Sequence, residues 1–184
     1  MIRKTLLVAL PLALAACGQS DGSAGEETSN PAASTALLDT AKIVVDANGV
    51  GPKGAPLGFG TPRTQVDQAL DVAFGASPNT SRNDECGAGP MEFSAFGPLK
   101  VGYQDDKLAG WFLGRGEGVV TSDGIAPGVT TLESLKLERQ VQELDTTLDG
   151  EFQYTSGDYG TITGFAEPDG TITGLAAGVT CVFR

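Results

Sequence analysis

From Ala41 onward, apolar residues come in short alternating runs broken at Gly, Pro, Asn and Asp. Lys42 to Val45 predicts a strand that ends in a turn at Asp46 to Gly49. Met91 to Phe96, Lys100 to Gln104 and Leu108 to Leu113 predict further strands, with Asp105-Asp106-Lys107 as a hairpin turn. A later group follows at Glu151 to Thr155, Gly160 to Ala166, Thr171 to Leu175 and Val179 to Phe183. Gly160-Thr161-Ile162-Thr163-Gly164 recurs as Gly170-Thr171-Ile172-Thr173-Gly174, which reads as two arms of one hairpin about Pro168-Asp169-Gly170. Its isoleucines suit a core and its threonines suit exposed strand faces. Helical spacing appears twice. Val66, Ala69, Leu70, Ala73 and Phe74 form one stripe, with Thr61 as N-cap, Pro62 at the first helical position and Gly75 as the end. Thr130 and Glu133 predict a capping box for a second helix, with Leu132 and Leu135 on its apolar face. The pattern predicts an α+β fold of two helix-plus-antiparallel-sheet units in tandem, over residues 41–120 and 121–184, with a single continuous α+β domain without a true repeat as the rival.

The amino terminus has a different texture. Arg3 and Lys4 precede an apolar run from Thr5 to Leu14, broken only by Pro11, and then Ala15, Ala16 and Cys17. This is the layout of a secretory signal peptide over residues 1–16, too short in its apolar part to span a bilayer. Leu14-Ala15-Ala16-Cys17 resembles the lipobox of bacterial lipoproteins. The resemblance implies cleavage before Cys17, diacylglyceryl attachment to its sulfur, and a membrane partner reached through that lipid. Two or more acyl chains anchor stably where one does not. Gly18, where an Asp would retain the protein in the inner membrane, resembles default sorting to the outer membrane, facing the periplasm. Residues 17–40 are rich in Gly, Ser, Ala and acids and lack aromatics, so they predict a lipidated, disordered tether. About 23 flexible residues have an r.m.s. span of roughly 25–30 Å. Ala36-Leu37-Leu38 is the part best suited to pack on the domain.

A loose internal repeat supports the tandem reading. Phe59 to Val66 and Ala126 to Glu133 each offer a Gly, a capping hydroxyl and the start of a helix. The Gly60-Thr61-Pro62 opening with Phe74-Gly75 and Pro78 resembles two groups. One is the small lipoprotein of the outer-membrane barrel-assembly machinery. The other is the β-lactamase-inhibitor protein, which joins two helix-plus-sheet units. The second unit has no clear Gly-x-Pro after its helix, so no binding residue carries across.

Composition then narrows the chemistry. The chain has 184 residues, 12 Lys plus Arg, 23 Asp plus Glu and no His, for a net charge of −11. Loss of residues 1–16 would make it −13, since Arg3 and Lys4 go with them. Without imidazole there is no Ser-His-Asp triad, Cys-His dyad or His-ligated metal. The acidic balance argues against nucleic acid. Cys86 and Cys181 remain as a pair after Cys17, and an oxidising compartment predicts a disulfide that closes a loop of about 95 residues. Chain entropy alone makes such a loop worth roughly 4–5 kcal/mol. Buried thiols or a metal pair are the rivals.

Asp84, Glu85, Glu92, Asp105, Asp106, Asp158, Glu167 and Asp169 are the candidates for a carboxylate pair, as in glycosidases. Most sit beside Gly, Pro or Asn, where Asp forms turns. Asp46 to Gly49 and Glu167 to Gly170 each offer two calcium-type ligands and no full loop. Gly114-Arg115-Gly116-Glu117-Gly118 precedes Val119-Val120 and no helix, so it reads as a connection rather than a dinucleotide loop. Trp111 and Phe112 point to opposite faces of one strand. The plainer reading puts Trp111 in the core and packs Phe112 under the linker, while an exposed Trp or Tyr would be an interface anchor, which makes Trp111, Phe112 and Tyr103 the candidates. The sequence therefore predicts a lipid-anchored, non-enzymatic binding or scaffold lipoprotein of the cell envelope, with an envelope protein as partner and no metal or cofactor. A carboxylate-pair hydrolase of cell-wall glycans is the alternative.

Overall fold

The computed structural model describes residues 31–157 and 160–181. Cys17 and the leader, Asp158 and residues 182–184 lie outside the described residues. The fold is α+β. Helix α1 (Pro31–Thr40) leads into β1 (Ile43–Asp46), β2 (Gly49–Pro52) and the short β3 (Leu57–Gly58). Helix α2 (Arg63–Phe74) precedes β4 (Asn79–Asn83), β5 (Met91–Phe96), β6 (Leu99–Gln104) and β7 (Lys107–Gly114). After β8 (Val119–Thr121) come α3 (Leu132–Glu138), β9 (Val141–Glu143), β10 (Glu151–Thr155), β11 (Thr161–Ala166) and β12 (Ile172–Gly178).

The strands form two sheets. One has four strands in the order β3-β2-β1-β8, and the other has eight in the order β4-β5-β6-β7-β12-β11-β10-β9. In the larger sheet a helix followed by a four-strand meander occurs twice, and the meanders meet at the antiparallel pair β7–β12. Both meanders contribute to the same core cluster. Ile43, Val45 and Val50 of the smaller sheet, Val66 and Leu70 of α2, and Leu132 and Leu135 of α3 join Trp111, Leu113, Leu175 and Phe152 in it. The smaller sheet and the two helices thus bury one face of the larger sheet.

Several expectations shift here. The tether prediction fails over residues 31–40, which form α1. Pro31 suits a first helical turn, and Ala and Leu are strong helix formers. Lys53 Nζ donates to Leu38 O at 2.8 Å and lies 3.6 Å from Asp39. Leu37 and Leu38 are half-buried, which matches the packing role of Ala36-Leu37-Leu38. Helix α2 starts one residue late: Pro62 occupies the N-cap, and Thr61 Oγ1 donates instead to Gly58 O at 2.7 Å. Gly75 ends the helix in the left-handed conformation. The capping box of α3 also shifts by one. Thr131 Oγ1 accepts from Ser134 N at 3.1 Å, while Thr130 Oγ1 accepts from Ala126 N at 3.1 Å. Thr171 to Leu175 extends to Gly178 as β12, and residues 179–181 are not a strand. The Gly-Thr-Ile-Thr-Gly repeats are indeed the hairpin β11–β12, with Ile162 and Ile172 fully buried.

Candidate functional site

Alternation and register decide what each face of the large sheet presents. Ser94, Val101, Trp111 and Ala177 form one cross-strand row over β5, β6, β7 and β12. Phe96, Leu99, Leu113, Leu175, Gly164 and Phe152 form another. Both rows point into the core. The intervening rows point the other way. One runs Phe93, Gly102, Gly110, Gly178. The next runs Ala95, Lys100, Phe112, Ala176, Thr163, Gln153, Gln142. Gly102 and Gly110, neighbours in one row, leave a shallow trough in this open face.

A cavity of 360 Å³ lies along that trough. Phe93 and Phe112 line it, both half-buried, with Gly102 and Gly110 in the floor. The segment after β12 forms one rim. Val179 N donates to Ala109 O at 2.9 Å, and a Cβ on Gly110 would stand 2.8 Å from Val179 N. That approach of one backbone to another is why Gly stands mid-strand at position 110. At Gly102 a Cβ would stand 2.8 Å from Met91 Cε and 3.3 Å from Phe93 Cε1. The absent side chain lets both neighbours lie over the sheet. Phe112 in turn meets Phe165 of β11, with ring centroids 6.5 Å apart.

The rim ends in a cysteine pair. Cys86 and Cys181 stand at disulfide distance, with Cα atoms 5.2 Å apart. This agrees with the pairing predicted from the cysteine count. Asn83 Nδ2 also lies 3.2 Å from Cys181 Sγ. Arg82 borders the cavity but already donates to Asp84 Oδ1 at 2.7 Å and Glu92 Oε1 at 3.1 Å. Lys100 Nζ sits 5.7 Å from the Phe93 ring centroid.

Of the three aromatic interface candidates, only Phe112 reaches this site with its side chain. Trp111 is 1% exposed, and its Nε1 donates to Asp46 O at 2.8 Å. Tyr103 is equally buried, and its hydroxyl donates to Asp67 Oδ1 at 2.7 Å. Both are corrected from interface to core, because each ring lies on the helix-covered face with its polar tip satisfied there. Arg63 stacks 5.1 Å from the Tyr103 ring centroid and bonds Asp67 and Glu92. Burial pushes the Tyr103 hydroxyl above its usual range, and Asp67 adds to that. Burial also raises Tyr154, with Asp123 nearby.

Of the acids proposed as a catalytic pair, the structure brings Asp84 and Glu92 together on one guanidinium, that of Arg82, on an exposed strand edge, and places the others apart from them. Glu92 and Asp84 are tied to arginines, and Glu167 Oε1 lies 2.8 Å from Arg115. Asp105 and Asp106 form the tight β6–β7 turn with φ of 50° and 56°. Glu85 is exposed beyond β4, its N–H donating to Asn83 Oδ1 at 2.9 Å. Asp46 and Asp169 accept from the backbone N–H two residues on, at 2.7 and 2.9 Å. The Thr171 N–H holds the Asp169 carboxyl below its usual range. Among the described residues no group of three or more Asp, Glu or Cys is arranged to hold a metal ion.

Apart from Phe112 and Cys181, the residues whose side chains line the trough were missed in the sequence. Gly102 and Gly110 carried a signal, since Gly inside a strand marks close approach. Their alignment in one row needed the register. No family model, curated protein or solved structure matches this chain.

Proposed function

We propose that this chain is a lipid-anchored envelope lipoprotein that binds a partner protein on the open face of its large sheet, without catalysis. Cys17 carries the lipid, and the outer membrane, facing the periplasm, is its site. The carrying observation is the trough itself. An apolar, small-residue groove on the open sheet face is held open by Phe93 and Phe112 and rimmed by a cross-linked segment. Preformed grooves with a few aromatic walls are what protein anchors fill. The tether and lipid supply location, and the acidic body stands off an anionic surface.

Palmitate labelling tests the anchor. The wild type should take up label and fractionate with the outer membrane, and Cys17→Ser should do neither. Label on the Cys17→Ser protein contradicts the anchor. A photo-cross-linker placed at Thr163, on the open face, tests the binding surface against one placed at Leu137, 64% exposed on α3. Adducts from Leu137 and none from Thr163 contradict it.

A further inference from the structure

The trough has a charge of its own. Among the described residues Lys100 is the cation on this face of the trough and no Asp or Glu lines it, while Arg82 stands opposite Glu92 in the register and turns its guanidinium to the helix-covered side. This is notable on a chain whose net charge is −11. Arg82 is engaged by Asp84 and Glu92. Lys100 is exposed, faces the Phe93 ring, and makes no ion pair among the described residues. The cavity volume of 360 Å³ holds one or two side chains rather than a whole element.

We propose that the trough takes a partner segment in which an apolar, preferably aromatic, side chain neighbours an acidic one. The ring lodges between Phe93 and Phe112, and the carboxylate meets Lys100. This rests on the open face being the binding surface, and it names the chemistry of the partner. A protein segment fits better than an anionic bilayer. A bilayer surface repels an acidic body, whereas one carboxylate on a segment meets the local cation alone. The ion pair is exposed, so it should change affinity by about two- to fivefold at low salt, less as salt screens it.

The test titrates the full-length, isotope-labelled protein in detergent with two probes, acetyl-Phe-Asp-amide and acetyl-Phe-Asn-amide. The amide resonances of Gly102, Gly110 and Val179 report binding. The Asp peptide should bind about two- to fivefold more tightly, and the difference should vanish in about 0.5 M salt. It should also vanish in Lys100→Gln and reverse in Lys100→Glu. Equal affinities in the wild type, a preference that survives Lys100→Gln, shifts centred elsewhere, or no shift with either probe overturns the proposal. The Thr163 cross-link separates this failure from that of the parent reading. Adducts without an acid preference remove the partner chemistry alone, and no adducts remove the binding surface.

Discussion

The two faces of the eight-stranded sheet use the same strands for different ends. On the covered face, rows of Leu, Val, Phe and Trp meet the helices and the smaller sheet, and the polar tips of Trp111 and Tyr103 are hydrogen-bonded inside. On the open face the same strands present Gly, Ala, Thr and Gln, with three half-buried phenylalanines and one lysine. Strand alternation guarantees two faces. The difference is that the covered face carries the core cluster, while the open face carries smaller side chains and half-buried rings.

Truncations should divide the two faces most sharply. Trp111→Ala should cost about 3–5 kcal/mol, since it leaves a large cavity and an unpaired Asp46 carbonyl. The adjacent Phe112→Ala, half-buried on the other face, should cost about 1–2 kcal/mol. Urea denaturation of both variants checks this, and equal costs would break the comparison. Next in size is the paired change Cys86→Ser with Cys181→Ser. It should cost about 2–4 kcal/mol and free residues 179–181 from the trough rim, seen as faster amide exchange at Val179.

Tyr103→Phe should cost about 1 kcal/mol at neutral pH, because it removes one hydrogen bond to Asp67 while leaving the ring in place. The same tyrosine predicts an alkaline effect. Its folded pKa is raised above the ordinary value of 10.0, so its contribution is complete below that pH. As pH rises further the unfolded chain ionises first, and stability falls by up to about 1.4 kcal/mol per pH unit per such group. Tyr154 acts in the same direction. Stability measured from pH 9 upward should fall less steeply in Tyr103→Phe than in the wild type. The smallest effect belongs to Lys100→Gln, which should leave stability within about 0.5 kcal/mol while altering the binding preference.

Much of the fold was legible because it rests on local pattern. The α2 stripe and the runs of β5, β7 and β10 carry their periodicity in a few residues. The β4 strand was not legible: Asn79-Thr80-Ser81-Arg82-Asn83 is polar on both faces and becomes a strand only by pairing with β5. Helix α1 was hidden in a Ser- and Ala-rich stretch whose packing on the body is tertiary. The Cys86–Cys181 pair was legible by count and compartment. The trough was not. Gly102 and Gly110 are separated in the chain and meet only through the β6–β7 register. Alternation shows that Trp111 and Phe112 face opposite ways without telling which way is in, and of the two readings the one with Trp111 in the core holds.

The photo-cross-linking comparison in intact cells tests the central claim most directly. With the cross-linker at Thr163 or at Leu137 in otherwise identical strains, the account predicts one dominant protein adduct from Thr163, at about tenfold or more the yield from Leu137, in line with binding energy concentrated in one patch. Equal yields from the two positions, or a dominant adduct from Leu137, would contradict it.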